Sequence, residues 1–288
     1  MCIYNLSYFA AKLFYYQFFI IIIYTMQKHG LNLSNRVLSE NMYQFVSKTE
    51  ISLKDKILCY YNGLNWKIVP LDIFLRYPVL HDKYFEEDDS KGEIITVALC
   101  PFTLATCVFL GKYTPSEYLI NSSLVLTDEK SNLLPIISGF ATDPDNYTSK
   151  VKRWESFIKI FRNAISEYPD SQFITLNQNM PHQLINNDYY NNDKIFYPTN
   201  SSKYNIHPKT LVYVVQYKSS KSLSDKYSII IGQDANESEP TGYNVKDSGL
   251  LKYIDQMKFK FSEKSAFLIP QLWFSCLPLY PTAKIVSL

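Results

Sequence analysis

One cysteine stands where buried strands often present reactive groups. Cys100 follows the apolar run 93–99 and directly precedes Pro101. A thiolate at that point would be a nucleophile, and the hydroxyls of Thr103 and Thr106 could donate hydrogen bonds to it. A free cysteine in an apolar run is more often a small buried hydrophobe. Cys100 is therefore the candidate catalytic residue, and core packing is the alternative.

His81 and Asp82 are the second pair of residues with catalytic chemistry. A carboxylate beside an imidazole fixes the tautomer of the ring and raises its basicity, as a general base requires. Adjacent residues seldom make that hydrogen bond, so a solvated loop pair is the alternative. The acidic run from Glu86 to Asp89 could bind a cation through its oxygens. It lacks the spaced ligands and the glycine of a calcium loop, which favours an exposed charged turn.

The other motifs argue against a bound cofactor or metal. The four histidines are scattered and no Cys-x-x-Cys pair is present, so zinc-ligand spacing is missing. The sequence also lacks a phosphate-binding glycine loop, a serine nucleophile elbow and a metalloprotease helix. The five cysteines are odd in number and widely spaced, unlike a disulfide framework. We predict no cofactor and no metal, and we leave enzymatic activity uncertain but less favoured.

The composition is that of a folded protein without a strong field for nucleic acid. Hydrophobic residues make up 47% and charged residues 19%, with 24 Tyr and 18 Phe, which favours β structure and a packed core. The 29 basic and 27 acidic side chains give a formal net charge of +2, too small to attract phosphate backbones. Nucleic acid is therefore excluded as a partner. Triplets such as Asn146-Tyr147-Thr148 would accept N-glycans, although asparagine is frequent enough here to produce them by chance.

An apolar leader predicts a membrane anchor. From Tyr8 to Met26 the only charge is Lys12, and a spanning helix needs about 20 apolar residues. Tyrosines near both ends suit the membrane interface. A cleaved signal peptide and a buried helix or strand are the alternatives. We predict a single-pass membrane protein of undetermined side, with a transmembrane or signal-anchor segment at 1–27 and a polar connector at 28–54.

The rest of the chain, residues 55–288, predicts a globular α+β domain with mixed, mainly antiparallel sheets and a few helices. Asn62-Gly63 between apolar runs predicts a hairpin with a type I′ turn, and Pro70 opens a short helix to Tyr77. Apolar residues at three- and four-residue steps predict a helix over 151–167. Residues 177–209 are rich in Asn, Asp, Tyr and Pro, which predicts a long surface excursion. Further strands are predicted at 93–100, 106–110, 118–127, 134–137, 172–176, 210–217 and 227–231.

The later part of the chain repeats the order of the earlier part. Each contains a strand pair, a further strand and an aromatic-rich segment ending in Tyr-Pro, at Tyr168-Pro169 and Tyr280-Pro281. This order predicts two related halves, 55–176 and 210–288.

Several segments resemble, in order, the bacterial and archaeal family known as domain of unknown function 3179. That family has a hairpin ending in a Tyr-Pro-Leu-like triplet, an acidic residue before a turn, and a strand ending in Cys-Pro-Leu. The corresponding residues here are Val69-Pro70-Leu71, Asp82 and Cys100-Pro101-Phe102.

The resemblance continues to about residue 285. An Asn-Ser segment leading to an aspartate matches 121–128, a Trp-to-Tyr-Pro-Asp block matches 154–170, and a closing aromatic block matches 272–282. Many members read Cys-Pro-Leu-Cys where this chain has Thr103, so a redox or metal pair is not expected there. The resemblance implies a fold and assigns no activity.

Two functions follow from these observations. The first is a membrane-anchored, non-enzymatic domain that acts by contact with an unknown protein partner, as a surface or particle component. The second is a thiol-dependent or small-molecule-binding enzyme centred on Cys100. An exposed thiol of low pKa in a pocket would favour the enzyme, whereas a packed thiol would favour the contact domain. A decayed homologue that keeps the fold without an activity is a third reading.

Overall fold

In the residues that it describes, the computed structural model shows a β-rich fold with three short α-helices. It describes residues 26–28, 30–47, 51–86, 91–145, 147–177, 180–185, 187–197, 206–218, 225–231, 267–276, 279–280 and 283–287. The strands of its first part are β1 (Met26–Lys28), β2 (Val37–Leu38), β3 (Tyr43–Val46), β4 (Lys56–Tyr61), β5 (Trp66–Pro70), β6 (Val79–Tyr84), β7 (Glu93–Leu99), β8 (Thr106–Leu110), β9 (Thr114–Ile120) and β10 (Ser123–Thr127).

The remaining strands are β11 (Leu133–Pro135), β12 (Phe140–Thr142), β13 (Thr148–Lys150), β14 (Arg153–Trp154), β15 (Ser156–Ile160), β16 (Gln172–Leu176), β17 (Leu211–Lys218), β18 (Asp225–Ile231), β19 (Phe267–Leu272) and β20 (Lys284–Ser287). The helices are α1 (Leu71–Phe74), α2 (Phe161–Glu167) and α3 (Trp273–Cys276), with 3-10 turns at Glu40–Met42 and Asn187–Asn191.

The strands that the structure describes form four sheets. Sheet A has the order β1-β9-β10-β11-β12-β13, sheet B β14-β8-β7-β6-β2, sheet C β15-β4-β5-β16-β3, and sheet D β19-β17-β18-β20. Among the described strands the parallel pairs are β2 with β6, β5 with β16, and β18 with β20. The predicted class, mixed and mainly antiparallel sheets with a few helices, is confirmed.

The alternation of side chains along β4 explains how sheet C joins two cores. Leu58 and Tyr60 lie in the main core that all four sheets share. Ile57 and Cys59 point to the opposite face, where they pack in a smaller cluster with Phe161 of α2. Successive side chains on a strand point to opposite faces, so one apolar strand supplies both cores.

The predicted hairpin at Asn62-Gly63 exists, but its turn differs. Tyr61 pairs with Trp66, which leaves a four-residue loop instead of a two-residue type I′ turn. The Asn62 side-chain oxygen accepts hydrogen bonds from the backbone N–H groups of Leu64 and Asn65, at 3.2 and 2.9 Å. Gly63 has φ +92°. The side chain of Asn62 therefore builds this turn.

The helix predicted over 151–167 is wrong in its first half. Helix α2 contains the last seven residues alone, and the preceding residues form β14 and β15. Strand β14 pairs with β8, and β15 pairs with β4 along its whole length. Backbone pairing with strands distant in sequence outweighs a local helical period here, because local propensity is a weak preference that tertiary context overrides.

Two further predictions need correction. The strand predicted over 118–127 is a hairpin of β9 and β10, turned by Asn121 and Ser122 with φ 45° and 64°. The predicted connector 28–54 carries β2 and β3 and contributes buried Leu33 and Leu38 to the main core. The connector is therefore part of the folded domain.

The leader from Tyr8 lies outside the described residues, apart from its last residue. Met26 begins β1, which pairs with β9 in sheet A. Among the residues that the structure describes, no helix has the length and apolar character needed to cross a membrane.

Sheets C and D have the same strand arrangement. In each, a hairpin is flanked by one antiparallel and one parallel strand, and a short helix follows the antiparallel one. Trp273, Tyr280 and Lys284 each lie 112 positions after their counterparts Phe161, Tyr168 and Gln172. Paired residues form matching rows across the two sheets. The row in sheet C is Phe157, Cys59, Ile68 and Phe173, and the row in sheet D is Ile269, Val214, Ile229 and Ile285.

Candidate functional site

Cys100 lies in the turn that connects β7 to β8. Its N–H donates to the Ala105 carbonyl and its own carbonyl accepts from Leu104 N–H, both at 2.8 Å. Its Sγ donates to the Ser122 carbonyl at 3.4 Å and accepts from Leu124 N–H at 3.3 Å. The side chain is 0% exposed. The thiol is therefore enclosed between this turn and the start of β10.

The surroundings keep the Cys100 thiol protonated. Burial raises the pKa of the Cys100 thiol, although hydrogen bonds from Thr103 and other neighbours act in the opposite direction. A protonated thiol is a poor nucleophile. Thr103 Oγ1 lies 3.2 Å from Ser123 Oγ, whereas Thr106 Oγ1 donates to the Ala98 carbonyl at 2.8 Å. Thr106 thus does not serve the thiol as the sequence suggested.

A segment that we call the tyrosine cover, residues 187–197, closes the Cys100 turn from outside. Tyr189 OH donates to the Phe102 carbonyl at 3.1 Å, and Tyr190 OH donates to the Pro101 carbonyl. Both tyrosines are buried. The sequence predicted a surface excursion here, and the Tyr-Tyr pair within a polar stretch was the signal that could have indicated burial. This part of the excursion belongs to the core.

Two groups from residues 207–209 hold the tyrosine cover in place. Lys209 Nζ donates to the Tyr189 carbonyl and lies 3.4 Å from the centre of the Tyr189 ring. His207 Nε2 lies 2.6 Å from Asp193 Oδ1. Burial lowers the pKa of Lys209 to about 8. The cover is therefore fastened by polar contacts to the residues that precede β17.

His81 has a structural hydrogen bond. Its Nε2 lies 2.7 Å from the Tyr113 carbonyl, so Nε2 carries the proton and donates. Burial lowers the pKa of His81, although the bond to Tyr113 opposes this change. The imidazole is consequently neutral near neutral pH. The Tyr43 hydroxyl donates to the His81 carbonyl at 2.5 Å, which ties β3 to β6.

Asp82 faces sheet C. The Tyr60 hydroxyl donates to Asp82 Oδ2 at 2.8 Å. Burial raises the pKa of the Asp82 carboxyl, and hydrogen bonds from Lys83 and Tyr60 oppose it. Nearby Lys67 donates to Gln172 Oε1 and lies 4.1 Å from the centre of the Phe45 ring. These polar groups join sheets B and C within the core.

The structure does not bring the three predicted site residues together. His81 and Asp82 are neighbours on β6, and their contacts lie on opposite faces of it, with Tyr113 and Tyr60. His81 pairs with Thr96, four residues before Cys100, which separates the two by about 13 Å along β7. No shared pocket for Cys100, His81 and Asp82 follows from these positions, and their catalytic roles stay predictions.

In the described part of the chain, no group of three His, Cys, Asp or Glu side chains could hold a metal ion. Glu86, which begins the acidic run, pairs with Lys152 at 2.9 Å. Residues 87–89 of that run lie outside the described residues.

A family model described as "Protein of unknown function (DUF3179)" matches residues 44–245. The chain belongs to this family. The match includes the hairpin β4–β5, the Cys100 turn and the tyrosine cover, and it confirms the resemblance seen in the sequence. No curated protein and no solved structure matches the chain. The DUF3179 description assigns no activity.

Proposed function

We propose that this DUF3179 chain is a non-enzymatic interaction or structural component held at a membrane through the apolar leader that precedes β1. The sealed Cys100 turn carries the first part of the proposal. The residue with the best catalytic chemistry is fully buried, and burial raises its thiol pKa. Reactive cysteines are partly exposed and lie in electropositive surroundings that lower the pKa. The arrangement around Cys100 is that of a packed structural residue.

The other polar groups support the same proposal. Tyr60, Asp82 and His81 use their side chains to join elements of the fold. A buried polar group stabilises a fold when it is hydrogen-bonded and destabilises it when it is not. These groups therefore hold the sheets together, which leaves contact with other molecules to the outer surfaces.

Alkylation of cysteine tests the sealed site. We expect iodoacetamide to leave Cys100 unmodified in the native protein and to modify it after unfolding. Burial also raises the pKa of Cys107, to about 12, so Cys107 should behave likewise. Leu64→Cys supplies a reference, because Leu64 is 58% exposed on the hairpin loop.

Peptide mapping by mass spectrometry should show Cys100 reacting at least about a hundredfold more slowly than the cysteine at position 64, since its reaction requires local opening. Reaction of both at similar rates in the native protein would overturn the non-enzymatic proposal.

The proposed membrane tether depends on the apolar leader and on its connection to the folded domain through β1. Because Met26 is already hydrogen-bonded into sheet A, a leader inserted in a bilayer would hold the domain close to the surface. We expect the full-length protein to stay with the membranes after alkaline carbonate extraction. Substituting both Ile21 and Ile22 by Asp should release it, since each carboxylate costs about 2.5 to 3.5 kcal/mol at the centre of a spanning helix.

The matched control replaces the same two isoleucines by leucine and should stay with the membranes. Release of the unmodified protein by carbonate would contradict the tether and leave the argument from Cys100 untouched.

A further inference from the structure

We infer that the end of the tyrosine cover, residues 194–197, lies in the headgroup interface of the lipid bilayer that holds the leader. We call these four residues the cover tip. The inference rests on the proposed membrane tether and names the surface of the domain that touches lipid. Two observations carry it, the place where β1 joins sheet A and the side chains that the cover tip presents beside that place.

The direction of β1 shows at which end of the domain the leader is attached. Met26 pairs with Ile120, and Lys28 pairs with Tyr118. Because β1 and β9 are antiparallel, the chain enters β1 beside the turn at 121–122 that joins β9 to β10. The uncharged run of the leader continues up to Met26. A leader inserted in a bilayer would therefore place this end of the domain against the membrane surface.

The same turn contacts the tyrosine cover. Ser122 Oγ donates a hydrogen bond to the Tyr197 carbonyl, and the Ser122 carbonyl accepts from Cys100 Sγ at 3.4 Å. Paired strands lie about 5 Å apart and a residue spans at most about 3.6 Å, so the Tyr197 carbonyl lies within about 20 Å of the Met26 backbone. The cover tip and the attachment point of the leader thus share one end of the domain.

The cover tip has side chains that suit a lipid interface. Phe196 is 45% exposed, and Ile195 and Tyr197 are half-buried. Lys194 is exposed, and its Nζ lies 5.6 Å from the centre of the Phe196 ring. Aromatic rings are enriched at the membrane–water boundary, and a lysine beside them can extend its ammonium group to the phosphates. The tip therefore fits the headgroup layer.

The charges of the cover favour a contact through the apolar side chains over one with anionic lipid. Two exposed carboxylates, those of Asp188 and Asp193, accompany the ammonium group of Lys194. Asp193 Oδ1 lies 2.6 Å from His207 Nε2. Surfaces that recognise anionic lipid carry clusters of several lysines or arginines. The cover tip should consequently contact a zwitterionic bilayer as well.

A control position lies at the far end of sheet B. Leu64 is 58% exposed on the hairpin loop between β4 and β5. That loop contacts Phe85, whose N–H donates to the Asn62 carbonyl at 2.9 Å next to the start of β7. The Cys100 turn, on which the cover lies, follows the other end of β7. Seven strand residues separate the two ends by about 20 Å.

The test uses the full-length protein in phosphatidylcholine vesicles, with one fluorescent dye attached to a single introduced thiol. The labelled variants are Phe196→Cys, Lys194→Cys and Leu64→Cys, each combined with Cys2→Ser. The four native cysteines that the structure describes are buried, so the dye reagent should leave them unmodified. Equal circular dichroism spectra of the variants establish that the fold is kept.

Phosphatidylcholine carrying a nitroxide near its headgroup should quench the dyes at positions 194 and 196 at least about fivefold more strongly than the dye at position 64, which is about 20 Å away along β7. The Lys194 variant keeps the contact between the rings of Phe196 and Tyr189, whose centres are 4.7 Å apart. It therefore separates contact with lipid from disturbance of the cover.

Equal quenching at the three positions, or its absence at 194 and 196, would overturn the lipid contact. So would protection of position 196 from aqueous iodide without quenching by lipid, which would assign the tip to a protein contact. Carbonate extraction of the same vesicles separates the two proposals. A protein that stays with the vesicles while its tip is not quenched keeps the tether and loses the lipid contact, whereas release shows that the tether has failed as well.

Discussion

Gly63→Ala should cost this protein about 3 kcal/mol or more of unfolding free energy, a large share of the stability of a typical domain. Gly63 has φ +92°, and a Cβ added there would lie 1.9 Å from the Phe85 carbonyl oxygen. Phe85 cannot easily withdraw, because its N–H donates to the Asn62 carbonyl at 2.9 Å. A side chain at this position therefore combines left-handed strain with a clash against fixed backbone.

Urea unfolding followed by circular dichroism measures the loss. Gly30→Ala is the matched control, because Gly30 has φ +70° and nothing lies within 4 Å of an added Cβ. That control should lose about 1 to 2 kcal/mol from backbone strain alone. If Gly63→Ala were no more destabilised than Gly30→Ala, the close approach of the hairpin loop to Phe85 would be refuted.

Trp273→Ala should have the second large effect, about 3 to 5 kcal/mol. Trp273 is the largest of the fully buried side chains and is 1% exposed. The backbone N–H of Trp273 donates to the Thr210 carbonyl at 2.8 Å, which fixes α3 against the start of β17. Removal of the indole would leave a cavity where α3 packs on sheet D, and the main core would lose that contact.

The reference for this substitution is Tyr147→Ala, since Tyr147 is 75% exposed. Its loss should stay within about 0.5 kcal/mol. The two variants are compared by their urea midpoints at a common slope. Equal midpoints would show that the second half of the chain does not share a core with the first.

The two substitutions probe different parts of one fold, since Gly63 lies in the hairpin of sheet C and Trp273 begins the helix that follows β19 of sheet D. Phe161 and Trp273 begin corresponding helices, yet Phe161 packs in the small cluster under sheet C and Trp273 in the main core. The same strand arrangement has thus been placed in two environments. The first arrangement has its outer edge covered by β3.

Local patterns were sufficient for several elements. The strands predicted at 106–110 and 172–176 have those bounds in the structure. The strand pair predicted at 210–217 and 227–231 exists as the antiparallel β17 and β18. Short apolar runs bounded by turn residues predict these strands. Their residue types favour the extended conformation, and a strand in the core also buries their apolar side chains.

Local patterns failed where distant pairing decided the outcome. Val151, Trp154 and Phe157 have helical spacing, yet residues 153–160 complete the edges of two sheets. In a window this short the same apolar residues fit a helical or an extended chain, and only the available partner strands decide between them. The polar segment before β4 contains a strand for the same reason, because β3 is defined by its pairing with β16.

From its sequence alone this protein could be recognised as a β-rich DUF3179 chain with a cysteine at the end of a buried strand and a Tyr-Pro element in each half. The tertiary structure alone decided that Cys100 is sealed, since its cover comes from Tyr189 and Tyr190, in a polar stretch whose composition predicts a surface excursion. It also decided that His81 and Asp82 serve different neighbours, because strand geometry turns adjacent side chains to opposite faces. Burial and hydrogen-bond partners arise from segments far apart in the chain, and those are the properties that decide whether a reactive side chain can act.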